Sequence, residues 1–215
     1  MSEDTSYNPA LEARLKNEAS DYPDKKTNLE MRTFLLENLY REAGVSKIGN
    51  PEVIVLGAGR GADLFAIKNL KPNAHFISAV DAFPPQKPHQ IIDNNGQVLV
   101  ATTEQEIVGY LSDQNNQEDL KKANLIVGTR LGPSTISHII SRLPEDGDYL
   151  AVLTTDMLPE GQREIDSKLQ EKNGAFEFTK FESENGIETV ILITPKQEGN
   201  PYIDIVTNAP HQESN

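Results

Sequence analysis

Val53, Ile54, Val55 and Leu56 run straight into Gly57-Ala58-Gly59-Arg60-Gly61, and Ala62-Asp63-Leu64 open an amphipathic segment. A short apolar run, three glycines at alternate positions and a helical periodicity predict a strand, a tight turn and a helix N-terminus. Glycine at 57, 59 and 61 lets the main chain turn sharply and approach a ligand with no Cβ in between. The helix that follows offers unpaired N–H groups and the positive end of its dipole. Such a turn is built to hold a nucleotide-like molecule against bare backbone.

The rest of the chain repeats the strand–helix alternation. Glu52–Leu56, His75–Val80, Gln97–Ala101, Asn124–Gly128 and Tyr149–Thr154 are short and apolar, as expected of parallel strands buried on both faces. Helices are predicted over 28–43, opened by Thr27-x-x-Glu30 as a capping box and closed by Gly44, and over 62–70, 104–112, 134–143 and 161–172. Pro84, Pro85 and Pro88 forbid a regular helix after the second strand. Asn95-Gly96 reads as a hairpin turn, so a small extra strand at Ile91-Ile92 precedes the third main strand. Phe176–Phe181 and Ile187–Thr194 flank Ser183-Glu184-Asn185-Gly186 as an antiparallel hairpin. The predicted fold is α/β, a Rossmann-like three-layer sandwich, with a seven-stranded mostly parallel sheet and a C-terminal antiparallel hairpin. The organisation expected is a flexible N-terminal segment over 1–27, one domain over 28–195 and a polar tail over 196–215.

Composition limits the partners. A chain of 215 residues, 37% hydrophobic and 25% charged, suits one soluble domain. No apolar run approaches the roughly 20 residues that span a bilayer. Met1-Ser-Glu-Asp lacks the basic start of a signal peptide, and a cytoplasmic location is expected. The absence of cysteine removes disulfides, thiolate metal ligands and thiol nucleophiles. A net charge of −13 argues against a nucleic-acid partner, whose phosphates need cationic neutralisation. No metal-ligating constellation is visible.

Gly57-x-Gly59-x-x-Ala62 satisfies the dinucleotide fingerprint, and Asp81 ends the next strand, where a carboxylate accepts bonds from a ribose diol. Two ligands share that geometry, an adenosyl sulfonium and a nicotinamide dinucleotide. Five parallel units closed by a hairpin, over roughly residues 50–195, resemble the class I S-adenosylmethionine-dependent methyltransferases. Gly57-Ala-Gly-Arg-Gly61 is similar to that family's first motif, Ala123–Gly128 to its fourth-strand motif, and Leu143-Pro-Glu-Asp-Gly147 to its approach to strand five. The resemblance implies S-adenosylmethionine as cofactor. It would be held by Gly57, Ala58, Gly59 and Gly61, by Asp81 on the ribose, and by Ala82, Phe83, Thr102 and Thr129. The chain departs from the family pattern at Val55, where the family carries an acid, and at Asn124, where it carries aspartate. Certain protein arginine methyltransferases have a very similar turn, but with paired glutamates after strand four, where this chain has Thr129-Arg-Leu-Gly-Pro-Ser134. That similarity is read as shared loop design.

Methyl transfer from a sulfonium needs alignment above all, and a base only where the nucleophile is protonated. His138, Arg130 and His89 are the candidates for a catalytic role, Arg130 as the partner of an acidic acceptor. Asp156 reads as a cap, and His75 and His211 as structural or terminal. The activity expected is methyl transfer to a small-molecule or protein acceptor. The alternatives are an NAD(P)-dependent oxidoreductase and an inactive methyltransferase-like scaffold.

Overall fold

The computed structural model describes residues 25–59, 61–81, 90–92, 98–101, 107–155, 159–183 and 188–210. Eight strands are β1 (Glu52–Leu56), β2 (His75–Val80), β3 (Gln90–Ile92), β4 (Val98–Ala101), β5 (Leu125–Gly128), β6 (Leu150–Thr155), β7 (Phe176–Glu182) and β8 (Thr189–Pro195). The α-helices are α1 (Lys25–Glu42), α2 (Ala62–Leu70), α3 (Ile107–Ser112), α4 (Gln114–Lys122), α5 (Pro133–Arg142), α6 (Pro159–Lys172) and α7 (Ile203–Thr207), and a 3₁₀ turn spans Val45–Lys47.

Strand parity builds the layers, because successive side chains leave a strand on opposite faces. Val53 and Val55, Leu125 and Val127, Leu150 and Val152, and Val190 and Leu192 pack with Leu36, Leu39 and Tyr40 of α1, Leu64 and Ile67 of α2, and Val206 of α7. The alternate residues Ile54, Leu56, Ile126, Leu153 and Ile191 pack with α3, α4, α5 and α6 through Leu111, Leu120, Ile139 and Ile165. The sheet order is β2-β1-β5-β6-β8-β7. The first four strands run parallel, and β8 lies antiparallel between β6 and β7.

Four expectations need correction. The sheet has six strands and not seven, because β4 pairs antiparallel with β3 in a separate ribbon, Gln90 opposite Ala101. This ribbon lies against β2, and Leu99 packs on the α1 face. The hairpin expected there is present, but its Asn95-Gly96 turn lies outside the described residues. Helix α1 begins at Lys25, so Thr27 falls inside it and not at its N-cap. Helix α4 was not predicted. Its sequence is almost wholly polar, with Leu120 its one buried side chain, and Asp113 caps it by accepting from Asn115 N at 2.9 Å. The predicted polar tail instead folds back, and Tyr202, Ile205, Val206 and Ala209 of its end join the α1-side core. Tail residues 211–215 lie outside the described residues.

Candidate functional site

Strand order reverses between β1 and β5, where the β1–α2 connection leaves on one side and the β5–α5 connection on the other. In open α/β sheets ligands bind at such a switch point, beyond the carboxyl ends of the strands. Gly57, Gly59 and Gly61 all have positive φ, at 87°, 47° and 89°. The turn is tied to the end of β2, with Gly57 N and Ala58 N both donating to Val80 O at 2.6 and 2.9 Å. That brings it beside Asp81, which is half-buried. Among the described residues, a Cβ built on Gly59 would meet only Gly57 O, at 4.0 Å. A Cβ on Gly57 would lie 2.9 Å from Leu131 Cδ2, so that side is already filled.

The same edge carries a connected set of polar side chains. Parity puts Thr129, Thr154 and Glu188 on the α1 face, each continuing the inward register of its strand: 125 and 127, 150 and 152, 190 and 192. Because β8 runs antiparallel, its first residues arrive at the carboxyl ends of the others. Asp63, in the first turn of α2, is 3% exposed and accepts from Thr129 Oγ1 at 2.9 and 3.1 Å and from the hydroxyl of Tyr40, which is fully buried. Arg32 of α1 donates Nη2 to Thr129 Oγ1 at 3.1 Å and sets Nη1 3.5 Å from Glu188 Oε1. Glu188, 6% exposed, also accepts from Arg130 Nε at 2.7 Å and from Thr154 Oγ1 at 2.6 Å. Arg130 has φ 52°, uncommon outside glycine, and its N–H donates to Thr154 Oγ1 at 2.9 Å. Both ends of the residue are therefore bonded, and the surroundings over-determine a backbone conformation that costs about 1–3 kcal/mol.

Two acids and two guanidinium groups thus balance one another under α1. Burial raises the Asp63 carboxyl above its ordinary value, against the lowering effect of Arg32 and of the bonds from Tyr40 and Thr129. Burial, and then the Asp63 charge, push the Tyr40 phenol well above its usual range, so it stays a donor.

The structure brings Gly57, Ala58, Gly59, Gly61, Asp81, Thr129 and Arg130 to this one edge. It puts His138 elsewhere, on the second turn of α5 in the opposite layer, with Nε2 buried and without a hydrogen-bond partner among the described residues. Ala82, Phe83, His89, Thr102 and Asp156 lie outside the described residues. Arg32, Tyr40, Asp63 and Glu188 were not foreseen. Glu188 reaches the loop after β5 from the edge of β8 through Arg130, and Val55 is a core residue of the α1 face. Asn124 sits at the opposite end of the sheet, accepting from Glu52 N at 2.9 Å, so its departure from the family pattern does not bear on this edge. Among the described residues no group of three or more His, Cys, Asp and Glu is arranged to hold a metal, and no helix is long and apolar enough to cross a membrane.

The sheet order departs from the 3-2-1-4-5-6 order of dinucleotide-binding folds through its antiparallel β8. No family model and no curated protein matches the chain in sequence. Among solved structures it is similar to the ribosomal protein L11 methylase of Lactobacillus delbrueckii subsp. bulgaricus, at 18% identity and a TM-score of 0.50, over 78% of this chain and 80% of that one. The fold is that of the class I S-adenosylmethionine-dependent methyltransferases. The chain is also similar to Aeropyrum pernix fibrillarin, solved with natively bound S-adenosylmethionine, at 9% identity and a TM-score of 0.48, over 74% of this chain and 76% of that one.

Proposed function

We propose that the chain binds S-adenosylmethionine at the β1–α2 turn and transfers its methyl group to a small-molecule or protein acceptor. The observation that carries this reading is the left-handed Gly59, clear of side chains among the described residues, at the switch point of a methyltransferase fold, with Asp81 at the neighbouring strand end. The donor set fits the adenosyl half of the cofactor: bare main chain at 59, and a carboxylate at 81 to accept from two sugar hydroxyls. When bound, the cofactor supplies an already activated methyl group on sulfur. The chain's task is then alignment and exclusion of water. Helix α1 lies over the edge of the sheet through Arg32 and Tyr40, and Arg130 stands at the end of β5 with 42% of its side chain exposed, toward the acceptor side. His138, in the opposite layer, drops out as a base, and His89 stays a candidate only where the acceptor is protonated.

Thermal-shift titration with S-adenosylmethionine, S-adenosylhomocysteine, NAD and NADP tests the reading. The first two should stabilise the chain by about 2–3 kcal/mol at a hundred times their dissociation constants, and the nicotinamides should not. Gly59→Val should lose the ligand response; the φ of 47° strains any side chain there, so the variant should also melt earlier, and far-UV circular dichroism checks that it stays folded. Stabilisation by NAD alone would move the chain to the oxidoreductases, and no response to any of the four would favour the scaffold.

A further inference from the structure

The ligand proposed above shares its crevice with the chain's own side chains. Arg32 comes from a helix 97 residues away in sequence and bonds across the switch point to Thr129. Leu131, from the β5–α5 loop, fills the space over Gly57. Besides the core contacts of Leu36 and Leu39, α1 is fastened by polar side chains at two places about two turns apart, Arg32 to Thr129 and Glu188, and Tyr40 to Asp63. It therefore lies as a strap over the β5 side of the crevice.

The two fastenings differ in kind. Tyr40 is wholly buried among core residues and donates to a carboxylate that is itself buried. Arg32 is 26% exposed and, among the described residues, donates to a neutral hydroxyl and keeps 3.5 Å from its carboxylate. Of the two polar fastenings, that of Arg32 is the weaker. Its guanidinium also occupies ground that suits a zwitterion: Asp63 and Glu188 would take a cationic group in its place.

Resting on the cofactor reading, we propose that α1 is a latch on that site, in which Arg32 must leave Thr129 and Glu188 before the charged tail of an adenosyl amino acid can enter. The end at Tyr40 and Asp63 stays bonded and acts as the hinge. A closed form favoured about ten to one lowers the apparent affinity about tenfold, since only the open fraction binds.

Two measurements on the full chain decide it. Arg32→Ala, titrated calorimetrically with S-adenosylhomocysteine beside the natural sequence, should bind about tenfold tighter. In the natural sequence, hydrogen exchange of the amides of residues 29–36 should quicken on saturation with S-adenosylhomocysteine, while those of β1 and β5 stay protected. Equal or weaker binding by Arg32→Ala, or slower exchange at 29–36, overturns the latch, because either makes Arg32 a ligand contact or a bystander. If Arg32→Ala does not fold, the exchange result on the natural sequence decides alone. Binding by the natural sequence with unchanged affinity in Arg32→Ala removes the latch and leaves the cofactor site standing. Failure of both to bind removes the site and the latch together.

Discussion

Asp63 shows how one side chain sets the charge of the whole edge. It is buried, it takes bonds from Tyr40 and Thr129, and its carboxyl is held above the ordinary value of 3.8 chiefly by burial. A raised acid holds its proton in the folded chain at a pH where the unfolded chain has released it. Between 3.8 and the raised folded value, the folded form binds more protons, so stability falls as pH rises through that window and levels off above it. Asp63→Asn keeps an acceptor for Tyr40 and Thr129 but does not titrate. Its melting temperature should therefore gain steadily on that of the natural sequence as pH rises through the window, read from thermal unfolding at closely spaced pH values. A natural sequence that gained on the variant instead would mean the carboxylate is stabilised as the anion. Asp63 was not legible as a site residue, because an acid in the first turn of a helix is also what the dipole alone favours. Gly57, Gly59, Asp81, Thr129 and Arg130 were legible because strand ends at a switch point are few and the turn marks one of them. Thr154 and Glu188 carry a signal that parity would have revealed: each continues the inward register of a buried strand while being polar. Arg32 and Tyr40 had none beyond their helix.

At the scale of elements, the strands were the readable part. Each main strand was found within two residues of its predicted ends, since runs of Val, Ile and Leu buried on both faces have no alternative use. What escaped were elements whose burial is small or one-sided. Helix α4 buries Leu120 alone, and α7 is five residues long. Strand β4 has the composition of a sheet strand, but its ladder goes to β3, and a hairpin partner close in sequence competes with a distant parallel edge at a lower cost in chain entropy. The C-terminal segment offers the clearest test of element-level packing. Ile205 of α7 sits against Gly44, where a Cβ would lie 2.6 Å from Ile205 Cγ2, and Val206 is fully buried in the α1-side core. Ile205→Ala should cost about 2–3 kcal/mol, the lower part of the range for deleting buried aliphatic groups. Urea unfolding checks it, and a change below about 0.5 kcal/mol, as for a surface position, would mean that α7 is not docked in solution.

For the molecule as a whole, net charge bears on the proposed acceptor. The chain carries 33 acidic against 20 basic residues. The two arginines at the crevice are both engaged by Glu188, so neither adds to a basic face. Phosphate backbones are held mainly by release of counterions to Lys and Arg, and a protein making six to ten such contacts loses about 10³–10⁵ in affinity between about 50 and 200 mM salt. With Lys and Arg outnumbered and both crevice arginines paired with Glu188, few such contacts are expected. Labelled single-stranded RNA and duplex DNA, followed by fluorescence anisotropy, should show no binding tighter than about 100 μM at about 150 mM salt, and no gain when the salt is lowered to about 50 mM. Tight binding with a steep fall in log affinity against log salt would require a concentrated basic surface, and the acceptor would then be sought among nucleic acids. A flat response leaves small molecules and protein side chains, whose recognition depends on the geometry at Thr129, Arg130 and Glu188 and not on the field of the whole protein.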